Sequence, residues 1–151
     1  MPQFNSVDEI LEFAIQREEE AAQFYLEQAT KVKGAEMRRT FEEFAKEEKS
    51  HKAKLIAIRD GKTLMPPHKK VLDLKMAEMH DLVTPSANMD YADVLVLAMQ
   101  REKASFKLYT DLAAMTDDEN TRYAFLSLAQ EEAKHKLRFE LEYDREVLGE
   151  N

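Results

Sequence analysis

The second half of this 151-residue chain repeats the first at an offset of 84 positions (102 − 18), and the repeat carries four carboxylates and two histidines. Ala14-Ile15-Gln16-Arg17-Glu18 returns as Ala98-Met99-Gln100-Arg101-Glu102, and Tyr25 returns as Tyr109. Phe41, Ala45, Glu47, Glu48, His51 and Lys52 return as Phe125, Ala129, Glu131, Glu132, His135 and Lys136 without a gap. Each half therefore supplies a Glu and, 30 residues later (48 − 18 and 132 − 102), a Glu-x-x-His. The fold has to present the same residues twice.

With only 3 Gly and 4 Pro, and 34% charged residues, the chain suits helices better than sheet or disorder. Its length suits a single domain spanning residues 1–151, large enough to bury a core. A formal net charge of −8 argues against nucleic acid as a partner, because the phosphates would repel it. There is no cysteine, hence no disulfide, zinc–thiolate or iron–thiolate centre in these residues. The opening Met-Pro-Gln-Phe-Asn-Ser lacks a basic and then apolar leader, and no stretch reaches the roughly 20 apolar residues that span a bilayer. The expected setting is cytoplasmic, with no membrane partner.

Helical periodicity and punctuation predict four long helices near residues 7–31, 35–59, 91–114 and 117–147. Ser6 with Glu9 and Thr116 with Glu119 have capping-box spacing, and Asp90 is a third N-cap candidate. Gly34 falls between two helical patterns, Gly61 follows the second and Gly149 the last, and every proline lies outside the periodic stretches. At about 100° per residue, Val7, Ile10, Leu11, Ala14, Glu18, Ala21, Tyr25 and Ala29 form one stripe, matched by Tyr91, Val94, Leu95, Ala98, Glu102, Ser105, Tyr109 and Ala113. Met37, Phe41, Phe44, Glu48, His51 and Leu55 share a face of the second helix, and Phe125, Leu128, Glu132, His135 and Phe139 one of the fourth. Four glutamates thus interrupt apolar stripes, whereas Glu19, Glu20 and Glu43 are expected to face solvent.

Short connections near 31–35 and 115–117 make each half an antiparallel helical hairpin. Glu18 and Glu48 each lie 15 positions from residue 33, and Glu102 and Glu132 each lie 15 from residue 117. Equal rise on antiparallel helices puts each pair at one height. A helix of this length is roughly 37 Å long, so a connection returning to the far end must be long. Residues 60–90 are long enough, and Lys70–Val83 is predicted to form a short amphipathic helix within them (Val71, Leu72, Leu74, Met79, Leu82). His68 and His80 in the same stretch belong to no motif. The expected fold class is all-α, a four-helix bundle of two antiparallel hairpins joined by a long crossover.

A Glu-x-x-His places a carboxylate and an imidazole one turn apart on one side of a helix. One copy is weak evidence; two in register on core faces, each with its upstream Glu, are strong. Glu48 and Glu132 are central enough to bridge two ions, His51 and His135 would each ligate one, and Glu18 and Glu102 would close the ends. The same set of donors is characteristic of ferritin-like di-iron and di-manganese carboxylate proteins. Without metal, crowded core carboxylates repel one another and take up protons. Tyr25 and Tyr109, two turns beyond Glu18 and Glu102 on the same stripes, are candidates to donate a hydrogen bond to a ligating carboxylate or, equally, to pack as aromatics.

Glu-x6-Tyr followed by Glu-x-x-His, twice, with a long crossover, resembles the ferritin-like domain of rubrerythrins across nearly the whole chain. The run Met89-Asp90-Tyr91-Ala92-Asp93 through Arg101-Glu102-Lys103-Ala104 is similar to rubrerythrin-related proteins as well. The resemblance implies a non-haem site of two Fe ions, with Mn or a mixed Fe/Mn pair as alternatives, reacting with hydrogen peroxide or dioxygen. It implies Glu18, Glu48, His51, Glu102, Glu132 and His135 as metal ligands, and a homodimer. Two departures stand out. Rubrerythrins proper usually carry a rubredoxin-like iron–thiolate domain, which a chain without cysteine lacks, so electrons would come from an external donor such as a rubredoxin-type protein. They also tend to have an extra carboxylate one turn before the helix-three ligand, where this chain has Met99, with Ile15 as the counterpart in helix one. The expected function is a di-iron oxidoreductase in oxidative-stress defence. The alternatives are an iron-binding ferroxidase or iron-handling protein without peroxidase turnover, and a metal-free helical interaction module.

Overall fold

The computed structural model describes residues 6–61 and 89–148. The predicted Lys70–Val83 helix, His68, His80, Pro66, Pro67, Pro85 and Gly149 lie outside them. The described residues form four α-helices: α1 (Val7–Lys31), α2 (Ala35–Gly61), α3 (Tyr91–Ala114) and α4 (Glu119–Tyr143). A π-helical turn, Asp144–Leu148, extends α4. They fall into two compact units, one holding α1 and α2, the other α3 and α4. Among the described residues no helix is long and apolar enough to cross a membrane.

In the first unit Ser6 caps α1, its hydroxyl accepting from the Glu9 amide at 3.1 Å. Val32 leaves the helix with extended backbone, its N–H donating to the Gln28 carbonyl, and α2 restarts at Ala35. A turn this short forces α1 and α2 to run antiparallel and side by side. Every member of the predicted α1 stripe is buried, as are Met37, Phe41, Phe44, Glu48, His51 and Leu55 of α2. Burying each of the larger apolar side chains is worth about 1.5–3 kcal/mol, which holds the register of the hairpin. Gly61 lies within helix α2 and does not follow it.

In the second unit Asp90 caps α3, accepting from the Asp93 amide at 2.8 Å. The α3 stripe is buried except at its first residue and its middle: Tyr91 and Ser105 keep partial exposure. The predicted α4 stripe from Phe125 to Phe139 is buried throughout. The predicted cap of α4 needs correction. Helix α4 begins at Glu119, and Asp118, not Thr116, is its N-cap. The Asp118 carboxylate accepts from both the amide (2.8 Å) and the hydroxyl (2.7 Å) of Thr121, two bonds that a Thr116 cap would not offer. Thr116 instead accepts from the Asp118 amide at 3.1 Å, while Arg122 donates to its carbonyl at 2.6 Å.

The Thr121 hydroxyl, and then its amide, hold the Asp118 carboxyl below its ordinary range. The cap contributes fully at neutral pH and weakens as pH falls through that lowered value. Asp118→Ala is expected to lower stability in thermal or urea unfolding at pH 7, and Asp118→Asn to lower it much less.

Candidate metal centre

Each hairpin brings its three sequence-predicted residues together. In the first, one ligand atom from each of Glu18, Glu48 and His51 lies within 4.8 Å of the other two. The His51 Nδ1 is 3.0 Å from Glu48 and 3.8 Å from Glu18. In the second, Glu102, Glu132 and His135 meet the same limit. The His135 Nδ1 is 3.2 Å from Glu102 and 3.5 Å from Glu132. All six are at most 2% exposed. The equal-height argument thus holds within each hairpin: Glu18 and Glu48, 30 residues apart (48 − 18), reach one imidazole, and so do Glu102 and Glu132.

Two buried carboxylates beside one imidazole call for positive charge. Burial would push His51 down, but hydrogen bonds and charge from Glu18 and Glu48 override it and raise its pKa to about 11. Carboxylate oxygens and imidazole nitrogen are the donors that Fe and Mn accept. By this chemistry the residues of both hairpins fit a divalent ion.

Aromatic rings line each cluster's hairpin. Tyr25 is fully buried, its ring centroid 5.7 Å from Phe24, 5.8 Å from Phe41 and 6.3 Å from Phe44. Tyr109, 1% exposed, stacks on Phe125 at 6.4 Å. Both therefore pack as aromatics, whatever their hydroxyls do.

Two neighbours of the ligands are less solvated than the sequence suggested. Glu19 is partly buried and pairs with Lys52 at 2.9 Å, which, with Gln23, lowers its carboxyl pKa. Glu20, also partly buried, pairs with Arg17 at 2.5 Å, and the Arg17 guanidinium lies 4.7 Å over the Phe13 ring. Lys52 from the facing helix and Arg17 from the preceding turn of α1 draw these carboxylates down onto the helix surface. Glu43 is exposed as expected.

One buried carboxylate escaped the sequence reading. Glu142 is 2% exposed and accepts from the Tyr91 hydroxyl at 2.8 Å and from Arg145 at 2.7 Å, with Arg138 at 3.7 Å. Burial, and then the bonded carboxylate, raise the Tyr91 pKa, so the phenol stays protonated. Glu142 continues the stripe of His135 and Phe139 by one more turn, which was the available signal. The repeat hid it, because the corresponding position in the first half is Ile58.

A family model described as Rubrerythrin matches residues 9–143. Among solved structures, a hypothetical protein from Pyrococcus furiosus is 26% identical, with a TM-score of 0.77 over 97% of this chain and 94% of that one. A protein from Thermotoga maritima, described provisionally as ferritin-like and diiron-carboxylate, is 24% identical, with a TM-score of 0.73 over 97% of this chain and 99% of that one. No curated protein matches. The fold class is accordingly the expected one, an all-α ferritin-like four-helix bundle.

Proposed function

Because the chain belongs to the rubrerythrin family, we propose that the two hairpins act as one domain over residues 1–151, closing their clusters over a pair of iron ions. The protein is then a cytoplasmic di-iron oxidoreductase that reduces hydrogen peroxide or dioxygen. The observation that carries this reading is the doubled cluster, two buried carboxylates around one buried imidazole in each hairpin.

In this reading Glu18, Glu48 and His51 from one hairpin and Glu102, Glu132 and His135 from the other would hold the ions, with Glu48 and Glu132 shared between them; manganese suits the same donors. When bound, two ferrous ions supply one electron each, which with two protons reduces hydrogen peroxide to water. The protein's share is to fix the six donors and keep water from the buried carboxylates. The Tyr25 and Tyr109 hydroxyls, each two turns along its helix from a ligand, are assigned to hydrogen-bond ligating carboxylates and hold their orientation. The ring packing of both tyrosines limits where those hydroxyls can point. Electrons to restore the ferrous state come from an external donor such as a rubredoxin-type protein, since this chain has no cysteine.

Anaerobic stopped-flow mixing of the ferrous-loaded protein with peroxide, and separately with dioxygen, tests the assignment. Oxidation at least about tenfold faster than for free ferrous ion, a barrier lowered by about 1.4 kcal/mol, is expected with one of the two oxidants. Rates equal to free ferrous ion with both contradict it. Met99 and Ile15, which stand where rubrerythrins tend to have a further carboxylate or its counterpart, favour a second reading: iron oxidation or iron handling without peroxidase turnover. A single fast oxidation that reduced donor cannot renew would support that version.

A further inference from the structure

In the second hairpin α3 and α4 flank a groove of about 710 Å³, within the roughly 300–1,000 Å³ that small-molecule sites occupy. Lys103, Phe106, Lys107 and Asp111 line it from α3, and Ala133 and Lys136 from α4. The 84-residue repeat supplies the first-hairpin counterparts in the same order: Glu19, Ala22, Gln23, Glu27, Lys49 and Lys52. The two sets differ in charge and in shape. Three lysines and one aspartate give the second set a net charge of +2 (3 − 1), on a chain whose formal net charge is −8. Two lysines and two glutamates give the first set none (2 − 2). Phe106, 36% exposed, stands where the first hairpin has the buried Ala22, and the methyl of Ala133 stands where it has Lys49. An aromatic ring is uncovered and a long side chain is removed beside it.

The ion pairs follow the same asymmetry. In the first hairpin Lys52 reaches across to Glu19 at 2.9 Å. Its counterpart Lys136 meets Lys103 in the place of Glu19, and pairs instead with Glu140 at 2.6 Å, where the first half has Ile56. Lys107 pairs with Asp111 at 2.8 Å. Lys103 has no hydrogen-bond or ion-pair partner among the described residues. Pairs such as Lys107–Asp111 and Lys136–Glu140, within one helix and partly exposed, are weak and give way to a more highly charged anion. A phosphate suits three ammonium groups, each able to donate to its oxygens. The exposed face of Phe106 suits a flat ring, which gains by stacking on it. We propose that this groove binds a planar aromatic molecule carrying a phosphate, of the flavin mononucleotide type. Lys103, Lys107 and Lys136 hold the phosphate, and the ring lies on Phe106 over the space left by Ala133. None of the six candidate metal ligands takes part, so the inference stands apart from the di-iron reading.

Calorimetric titration of the full-length chain with flavin mononucleotide, and with riboflavin as the same ring without its phosphate, tests the proposal. Flavin mononucleotide is expected to bind saturably at one site per chain, and riboflavin at least about tenfold more weakly. Lys103→Glu combined with Lys107→Gln installs the residues of the first hairpin and should weaken binding by at least about tenfold. Phe106→Ala, which removes the stacking face, should weaken it by about tenfold as well. Lys46→Glu combined with Lys54→Gln makes the same charge change of −3 (−2 − 1) at exposed positions of α2 and should leave affinity unchanged. No saturable binding, equal affinity for riboflavin, an indifferent Phe106→Ala, or an equal loss in the α2 variant would each overturn the proposal.

Discussion

Ferrous ion added without oxygen is expected to raise the melting temperature of the wild-type chain by about 10–20 °C. At a free concentration one hundred times the dissociation constant, each ion bound only by the folded state adds about 2.7 kcal/mol, so two add about 5. For a domain of this size each kcal/mol moves the midpoint by about 2–4 °C. The same ion should do almost nothing for Glu48→Ala combined with Glu132→Ala, which removes one carboxylate from each buried cluster. Anaerobic calorimetry on both chains, with and without ferrous ion, gives the comparison. A full shift in the double variant would place the ions elsewhere. The physical basis is charge: the carboxylates are at most 2% exposed, and a divalent ion held among them offsets more of their mutual repulsion than a proton on the imidazole does.

Phe41→Ala is expected to cost about 3–5 kcal/mol and lower the melting temperature by about 6–20 °C. Phe41 is fully buried in α2 and its ring lies 5.8 Å from that of Tyr25 in α1. Its loss removes both the apolar transfer term and the contact that sets one helix against the other. Because Glu18 sits on α1 while Glu48 and His51 sit on α2, a looser register should also weaken ferrous binding. Urea unfolding reports the first effect and a ferrous titration the second. Leu26→Ala, on an α1 side chain 39% exposed, provides the control and should change neither by much.

The helices and the clusters were legible in the sequence for different reasons. Helices α1 and α3 have the predicted limits because their caps are local: Ser6 and Asp90 each bond an amide three residues on. The start of α4 was misplaced because Thr116 and Asp118 both offer an oxygen, and the winner depends on the side chain of Thr121, outside the simple capping pattern. The six candidate ligands were legible because the repeat doubles the signal and because charged residues on apolar stripes are costly to bury. Glu142 was not, since its partners Tyr91 and Arg145 are remote in sequence or lie beyond the α-helix end, and Ile58 breaks the repeat there. The ion pair between Glu19 and Lys52 was missed for a related reason: periodicity tells which side of a helix faces out, not which facing side chains then reach across the hairpin.

The metal content of the purified chain, determined by elemental analysis for wild type and for Glu48→Ala after identical anaerobic ferrous loading, tests the central claim most directly. The account predicts close to two iron or manganese ions per chain in wild type and a loss of most of this metal in the variant, because the lost carboxylate is assigned to both ions. Little or no metal in wild type, or equal metal in both chains, would contradict it and leave a ferritin-like fold acting as a metal-free helical interaction module.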